Sequence, residues 1–347
     1  MKSLRLILKF FLLFLIIIFI FILLSSIYVL IKYTMNDYKP KEAEKTIDLY
    51  NPGNLPRIKK NKKINILSWN VANTNKGDDY IVNLFPRPNK NREPEIRVFI
   101  YKFIEKEKFD IVTFQEAGLP FSKEISHKFN NYSFHFTYNL KDFHMPFEGK
   151  MNMGLLSINS YLTSSTMRFK LPGKRPWPFN LFLFKRCIIE SRFPIENDSR
   201  ELIVINLHLE FFDRNERVRT AELKFLKEKI LDEYNKGNSV ILCGDWNLIM
   251  PGLSNDRFKP WTTPEKYTNW LNSFHKGWTP KGWQWAYPKD VPTVRTQEIP
   301  YEKGKNFTTV IDGFLLSPDI EIISVKGYDF AFKYSDHNPI SIEIKIK

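Results

Sequence analysis

The stretch SVILCGDWNLIM, residues 239–250, holds the question on which the fold turns. An apolar run from Val240 to Cys243 reads as a buried strand. It stops at Gly244 and delivers Asp245, Trp246 and Asn247. Asp and Asn are ordinary residues after a strand, because their side chains bond the nearby backbone. A lone G-D-x-N is explained equally well as a turn. The other reading, a carboxylate and a carboxamide serving a site, needs partners elsewhere in the chain.

Such partners recur. INILSWN (64–70) ends in Asn70, and DIVTFQE (110–116) ends in Glu116. ELIVINLHL (201–209) carries His208, and TTVIDGFLLS (308–317) carries Asp312. YSDHNPI (334–340) presents Asp336 and His337 just before PISIEIKI (339–346). Each is weak alone. Glu116 reads as solvated, His208 as a satisfied core histidine, and Asp-His as a loop pair. Asp312 is less ordinary, because an unpaired buried carboxylate is costly. Polar groups at one end of several central strands are what a site on a sheet edge or crevice requires.

Short β-type runs also stand at NMGLLSI (152–158) and FKRCIIESRF (184–193), and several of the runs are nearly continuous in apolar residues, which suits strands covered on both faces. Helices are expected at 93–108 and 214–236. The second starts on a capping-box-like Asp213 and Glu216, with Leu223, Leu226, Ile230 and Tyr234 on one face and Gly237 past its end. Strands mixed with helices over this length predict layered α/β, two packed sheets with outer helices.

The N-terminus is a separate object. Phe10 to Ile31 holds 22 residues without a charge. As a helix they reach about 33 Å, enough to cross a hydrocarbon core. A cleaved signal peptide would have a shorter apolar region and an A-x-A site. The spacing predicts an anchor over 1–33, a polar tether over 34–62 with Pro40, Pro52, Gly53 and Pro56, and a catalytic domain over 63–347. Lys2, Arg5 and Lys9 precede the span, so the N-terminus is expected in the cytoplasm and the domain outside it. The chain carries +14 and the first 33 residues hold four cations and no acid, leaving +10 beyond them. Such a surface attracts nucleic acid, phosphorylated small molecules or acidic lipid. Cys187 and Cys243 are the two cysteines, and no Cys/His spacing predicts zinc. A disulfide between them stays open, and so does the oligomeric state.

Two loops stand out. LPGKRPWPFNLFLFKR (171–186) is aromatic and basic, and WTPKGWQWAYP (278–288) holds three tryptophans. Each reads either as a folded-back loop with buried rings or as a lip for substrate or membrane. Arg295, in PTVR (292–295), reads either as a phosphate contact or as a solvated loop arginine.

In order, W-N, Q-E, G-D-x-N, I-D-x-x-L-x-S and S-D-H-x-P resemble the endonuclease/exonuclease/phosphatase superfamily, across residues 63–347. The resemblance implies a four-layer α/β sandwich. It implies that Asp245 orients or deprotonates the attacking water and that Asn247 bonds a phosphoryl oxygen. Alternation would turn both to one side, with Trp246 away. Glu116 is implied as principal metal ligand, with Asn70 and Asp336 beside the same ion. Oxygen ligation favours Mg²⁺, with Mn²⁺ as a substitute. His337 is implied to bond the phosphate, held charged by Asp312, and His208 to serve as phosphate contact or acid. The general base stays open between the histidine and Asp245.

The implied activity is phosphodiester hydrolysis. A nuclease is expected first, then a sphingomyelinase-like lipid phosphodiesterase or a phosphatase of small phosphoesters. FTTVIDGFLL (307–316) departs from the inositol 5-phosphatase motif, which disfavours that branch. A degenerate, non-enzymatic member is disfavoured because the motif residues are all present.

Overall fold

The computed structural model describes residues 2–74, 92–145, 149–173, 176–211, 213, 216–254 and 256–347. Two seven-stranded mixed sheets pack face to face between helices, the four-layer sandwich expected. Fourteen strands build them: β1 Ala43–Lys45, β2 Ile47–Tyr50, β3 Ile64–Asn70, β4 Ile111–Gly118, β5 Ser133–Met145, β6 Gly149–Asn159, β7 Ser165–Lys170, β8 Cys187–Pro194, β9 Glu201–His208, β10 Ser239–Asp245, β11 Gln284–Ala286, β12 Asp312–Leu316, β13 Ile320–Gly327 and β14 Ile340–Ile346. The first sheet runs β13-β14-β3-β4-β6-β5-β2, the second β1-β7-β8-β9-β10-β12-β11. The helices are α1 Lys2–Met35, α2 Glu93–Glu107, α3 Leu119–Ser126 and α4 Arg217–Asn235.

Each sheet centres on one parallel pair, β3 with β4 and β9 with β10. A parallel pair needs a crossover, and α2 and α4 supply them. Alternation sorts the side chains. Ile64, Ile66, Ile111, Val204, Ile241, Phe314 and Ile342 fill the space between the sheets. Leu67, Trp69, Val112 and Phe114 face α2 and α3. Ile203, Ile205, Val240 and Leu242 face α4 through Leu223, Leu226 and Ile230. Three cores between four layers explain why the central runs are apolar on both faces.

The antiparallel neighbours decide where the site lies. β12 runs against β10 and starts opposite its end, with Asp312 paired to Asp245. β14 runs against β3, so the segment entering β14 meets the end of β3. Strand ends and strand starts thus collect on one edge.

Several expectations change. Residues 43–50, expected as tether, form β1 and β2, which pair with β7 of one sheet and β5 of the other. The run at 308–317 is broken: Thr308–Thr309 pairs with Val294–Arg295, and Asp312 opens β12 instead of lying inside a strand. Asp213 does not close a capping box on Glu216. It accepts from the Arg219 N–H at 2.8 Å, while Glu216 takes a left-handed backbone. Gly237 does end α4 with a positive φ of 90°. Both cysteines are buried and free, so no disulfide joins them. Two tryptophans of 278–288 pack on Trp246, Trp285 at 4.9 Å and Trp278 at 5.9 Å, and the third, Trp283, packs on Tyr234 at 5.8 Å.

Candidate active site

Near the site edge the space between the sheets turns from apolar to polar, following the same alternation. Ser68 and Asn70 of β3, Thr113 and Gln115 of β4, and Asn206 and His208 of β9 are buried there, with Asp245 at the end of β10. They bond across the sheets. Gln115 donates to Asn206 Oδ1 at 2.8 Å, and Asn206 donates to the Phe114 and Leu156 carbonyls at 3.2 and 3.1 Å. A buried polar group left unpaired would be costly, so this ladder fixes the register of one sheet on the other. Sequence reasoning took Gln115 only as part of the Q-E motif and did not single out Asn206. Polar residues at alternate positions, Thr113 and Gln115 in β4 and Asn206 and His208 in β9, were the available signal.

Asp245 is the centre. Its Oδ1 accepts the Asn247 N–H at 2.9 Å, the local turn bond. Its Oδ2 accepts from Asn70 at 3.0 Å and lies 3.4 Å from His208 Nε2 and 3.7 Å from His337 Nε2. One oxygen thus makes the local turn bond, and the other meets three side chains from elsewhere in the chain. Gly244 permits this. Its φ is 142°, and a Cβ there would stand 2.0 Å from the Leu207 carbonyl oxygen. Trp246 turns away into the α4-side core, as alternation requires, and donates to the Gly313 carbonyl at 3.1 Å. Asn247 departs from alternation with φ 50° and donates its amide to the Leu209 carbonyl at 2.9 Å.

His337 sits between two carboxylates. Nδ1 is 2.9 Å from Asp312 Oδ2, and Nε2 faces Asp245. Burial disfavours the imidazolium, but Asp312 and then Asp245 hold its pKa up at about 10. Burial pushes the Asp245 carboxyl up to about 7, against the pull of His337. Ser335 ties this segment to β3: its hydroxyl donates to the Asn70 carbonyl at 2.7 Å and accepts the His337 N–H at 3.1 Å. The Trp69 indole donates to the His337 carbonyl at 2.9 Å. Thr293 Oγ1 accepts the Ile311 and Asp312 N–H groups at 3.1 and 3.2 Å. Trp69, Thr293 and Ser335 were not foreseen as braces.

Glu116 stands at a bulge in β4 with φ 49°, and Asn70 Nδ2 lies 3.5 Å from its Oε1. Asp336 lies one step away through Ser335, 3.3 Å from its Oδ1. Asn70 turns its NH₂ toward Glu116 and Asp245, and its oxygen accepts the Ala72 N–H at 3.0 Å. A second donor group, Asp245, Asp312 and His337, has ligand atoms within 4.8 Å of one another. Four carboxylates gathered around one imidazolium leave excess negative charge, which a divalent cation fits. Arg295 is not a solvated loop arginine, and its backbone N–H donates to the Asp336 carbonyl at 3.1 Å. It is buried and donates to the Thr296 carbonyl at 3.0 Å, beside the bridge from Val294 to His337.

The chain belongs to the endonuclease/exonuclease/phosphatase family, whose profile matches residues 67–337. Among solved structures, a family member from Bacteroides thetaiotaomicron superposes with a TM-score of 0.53 at 14% identity, over 82% of this chain and 98% of that one. TDP2 of D. rerio, complexed with a single-strand DNA product, gives 0.53 at 14% identity, over 82% and 100%. A family protein from Leptotrichia buccalis gives 0.53 at 16%, over 82% and 100%. At these identities the likeness is one of fold. No curated protein shows significant sequence similarity to the chain.

Proposed function

We propose that this chain is a membrane-anchored, divalent-metal-dependent phosphodiesterase whose substrate is nucleic acid. Family membership supports a hydrolase of phosphodiester bonds. One observation carries the site reading: an amide and two imidazoles converge on a single oxygen of buried Asp245. Hydrolysis needs a water with its proton removed, charge relief on the phosphoryl oxygens, and help for the leaving oxygen. Asp245 orients the water and takes its proton. His337, kept protonated by Asp312, offers its charge to a phosphoryl oxygen. His208, against the same Asp245 oxygen, and Asn247, on the turn just after it, would contact the phosphoryl oxygens. Glu116, Asn70 and Asp336 would hold the ion, Mg²⁺ with Mn²⁺ as substitute, Asn70 by turning its amide oxygen inward. The ion, when bound, supplies Lewis-acid stabilisation of the phosphate and the departing oxygen.

The +10 charge beyond the N-terminal span supports a polyanion. The structural likeness to a protein holding a DNA product supports the same choice. A lipid-headgroup phosphodiesterase is the second reading, favoured by Phe184 of the aromatic loop, whose ring lies 6.3 Å from that of His208. The test incubates the full-length chain in detergent with plasmid DNA, RNA, sphingomyelin vesicles and inositol phosphates, with and without Mg²⁺. Metal-dependent cleavage of DNA or RNA is expected. Cleaved sphingomyelin beside intact plasmid and RNA would replace the nuclease reading with the second one.

The helix α1 is long and apolar enough to cross a membrane, and none of its apolar window is buried in the protein. We place the catalytic domain outside the cytoplasm, with the close-in Lys2, Arg5 and Lys9 retained inside.

A further inference from the structure

The loop between β7 and β8 reaches the site near its end, where the Phe184 ring lies 6.3 Å from that of His208. On either side of Phe184 the loop also meets the end of α1 and the residues just past it. Trp177 donates its indole N–H to Thr34 Oγ1 at 3.1 Å, and Lys185 pairs with Asp37 at 2.8 Å. Tyr38 packs edge-on against Tyr138 of β5 at 6.0 Å, and Lys141 lies over both rings. Thr34 stands three residues beyond Ile31, the last of the uncharged run, or about 4.5 Å along the helix. With α1 as a membrane anchor, this level is where a hydrocarbon core would give way to headgroups.

At that level the protein leaves large rings uncovered. Trp177 is 58% exposed and Phe179 67%, the two most exposed large apolar side chains outside α1 among the described residues. A cavity of about 360 Å³ opens between the end of α1 and the domain, lined by Tyr28, Lys32 and Tyr33 of α1 and by Asn139, Lys141 and Leu183 of the domain. Tyrosine, tryptophan and lysine are the residues that suit the boundary between lipid and water, with an apolar body below and a polar tip above.

We propose that residues 176–185 and the last turns of α1 form a seat on the bilayer, with Trp177 and Phe179 set among the headgroups and upper chains of one leaflet. The seat rests on the membrane-anchor reading of α1 and goes beyond the catalytic reading. Its occupant is the lipid leaflet, because the tie to Thr34 puts the uncovered rings at the level of the leaflet's surface. Trp177 and Phe184 are seven residues apart, so one short loop joins the leaflet to the ring beside His208. With β1 and β2 paired into the sheets directly after α1, the domain is held in one orientation to the membrane instead of swinging on a tether.

The test uses the full-length chain in phosphatidylcholine vesicles. Both native cysteines are buried, so a thiol-reactive, environment-sensitive fluorophore reads Phe179→Cys and, separately, Trp177→Cys. Glu321→Cys on β13, exposed at the opposite edge of the sheet from β5, is the reference. The labels at 177 and 179 are expected to emit to the blue of the label at 321 and to be quenched by brominated lipid, which leaves the reference unchanged. Labels at 177 and 179 that match the reference, in a chain that stays with the vesicles through an alkaline wash, overturn the seat alone. Release of the chain by that wash overturns the anchor and the seat together. Neither result touches the phosphodiesterase reading, which rests on the hydrolysis assays.

Discussion

Asp245 takes its character from three side chains that lie far from it in sequence. Asn70 is 175 residues away, His208 ends β9 and His337 lies in the segment entering β14, yet all meet one oxygen. Asp245→Asn keeps the shape and the turn bond to Asn247 but cannot take a proton. Substrate binding is expected to persist while kcat falls by about 10² or more, as for a positioned general base. Near wild-type kcat would leave Asp245 as a turn residue only. Glu116 makes a different prediction. Its carboxylate is placed at a left-handed bulge beside Asn70, a backbone that costs strain unless the position is needed. Glu116→Gln removes one negative charge from the cluster. Mg²⁺ or Mn²⁺ affinity, read by calorimetry on the full chain, is expected to drop by about tenfold or more. Unchanged affinity moves the ion to the Asp245, Asp312 and His337 group.

At the scale of the element, α4 shows how a helix can carry charge on its core face. Arg219 is buried and donates to the Asn247, Trp270 and Asp213 carbonyls at 3.2, 3.3 and 3.0 Å. The helix thereby clamps the backbone of Asn247 from below. Glu222, one turn on, is fully buried and accepts the Glu210 N–H at 3.0 Å. Burial pushes its pKa up to about 8. A carboxyl raised in the folded state favours folding while it is protonated. The cost of charging it therefore grows as pH rises from the ordinary carboxylate range, near 4.5, through about 8, and persists above that. Glu222→Gln removes that cost and can still accept the Glu210 N–H. Its Tm is expected to exceed wild type at pH 8 and to match it near pH 4. An equal Tm at pH 8 would show that Glu222 is stabilised by charge there.

At the scale of the whole molecule, a basic domain and a membrane seat act on different substrates. A nuclease held by phosphate contacts should lose affinity for duplex DNA steeply with salt, with a log–log slope of about −0.9 for each phosphate neutralised. The double change Trp177→Ser and Phe179→Ser, at exposed rings away from Asp245, is expected to leave DNA hydrolysis and that slope unchanged. A lipid enzyme would lose its activity on vesicles with the same change and keep a short-chain soluble substrate. DNA affinity that is flat between low and moderate salt would remove the electrostatic basis for a polyanion.

What the chain alone determined is whatever leaves a local pattern. An uncharged run longer than a bilayer core is visible without any partner, as α1 is. Strands covered on both faces announce themselves as apolar runs, so β3, β4, β9, β10 and β14 were legible, and the polar residues that end them stood out by contrast. The motif order carried the family. Tertiary structure decided the rest, because the deciding contacts join residues with no local relation. β1, β2 and β11 are strands only because a neighbour pairs with them. Nothing in VIDGF showed that Asp312 opens a strand, since its place follows from the end of β10 opposite. Gln115 and Asn206, 91 residues apart, gain their role from one sheet lying on another. The two aromatic loops look alike in sequence, yet the rings of 278–288 pack into the core that holds Trp246 while Trp177 and Phe179 stay uncovered. Composition sets how much apolar surface a segment has, and only packing sets what that surface meets.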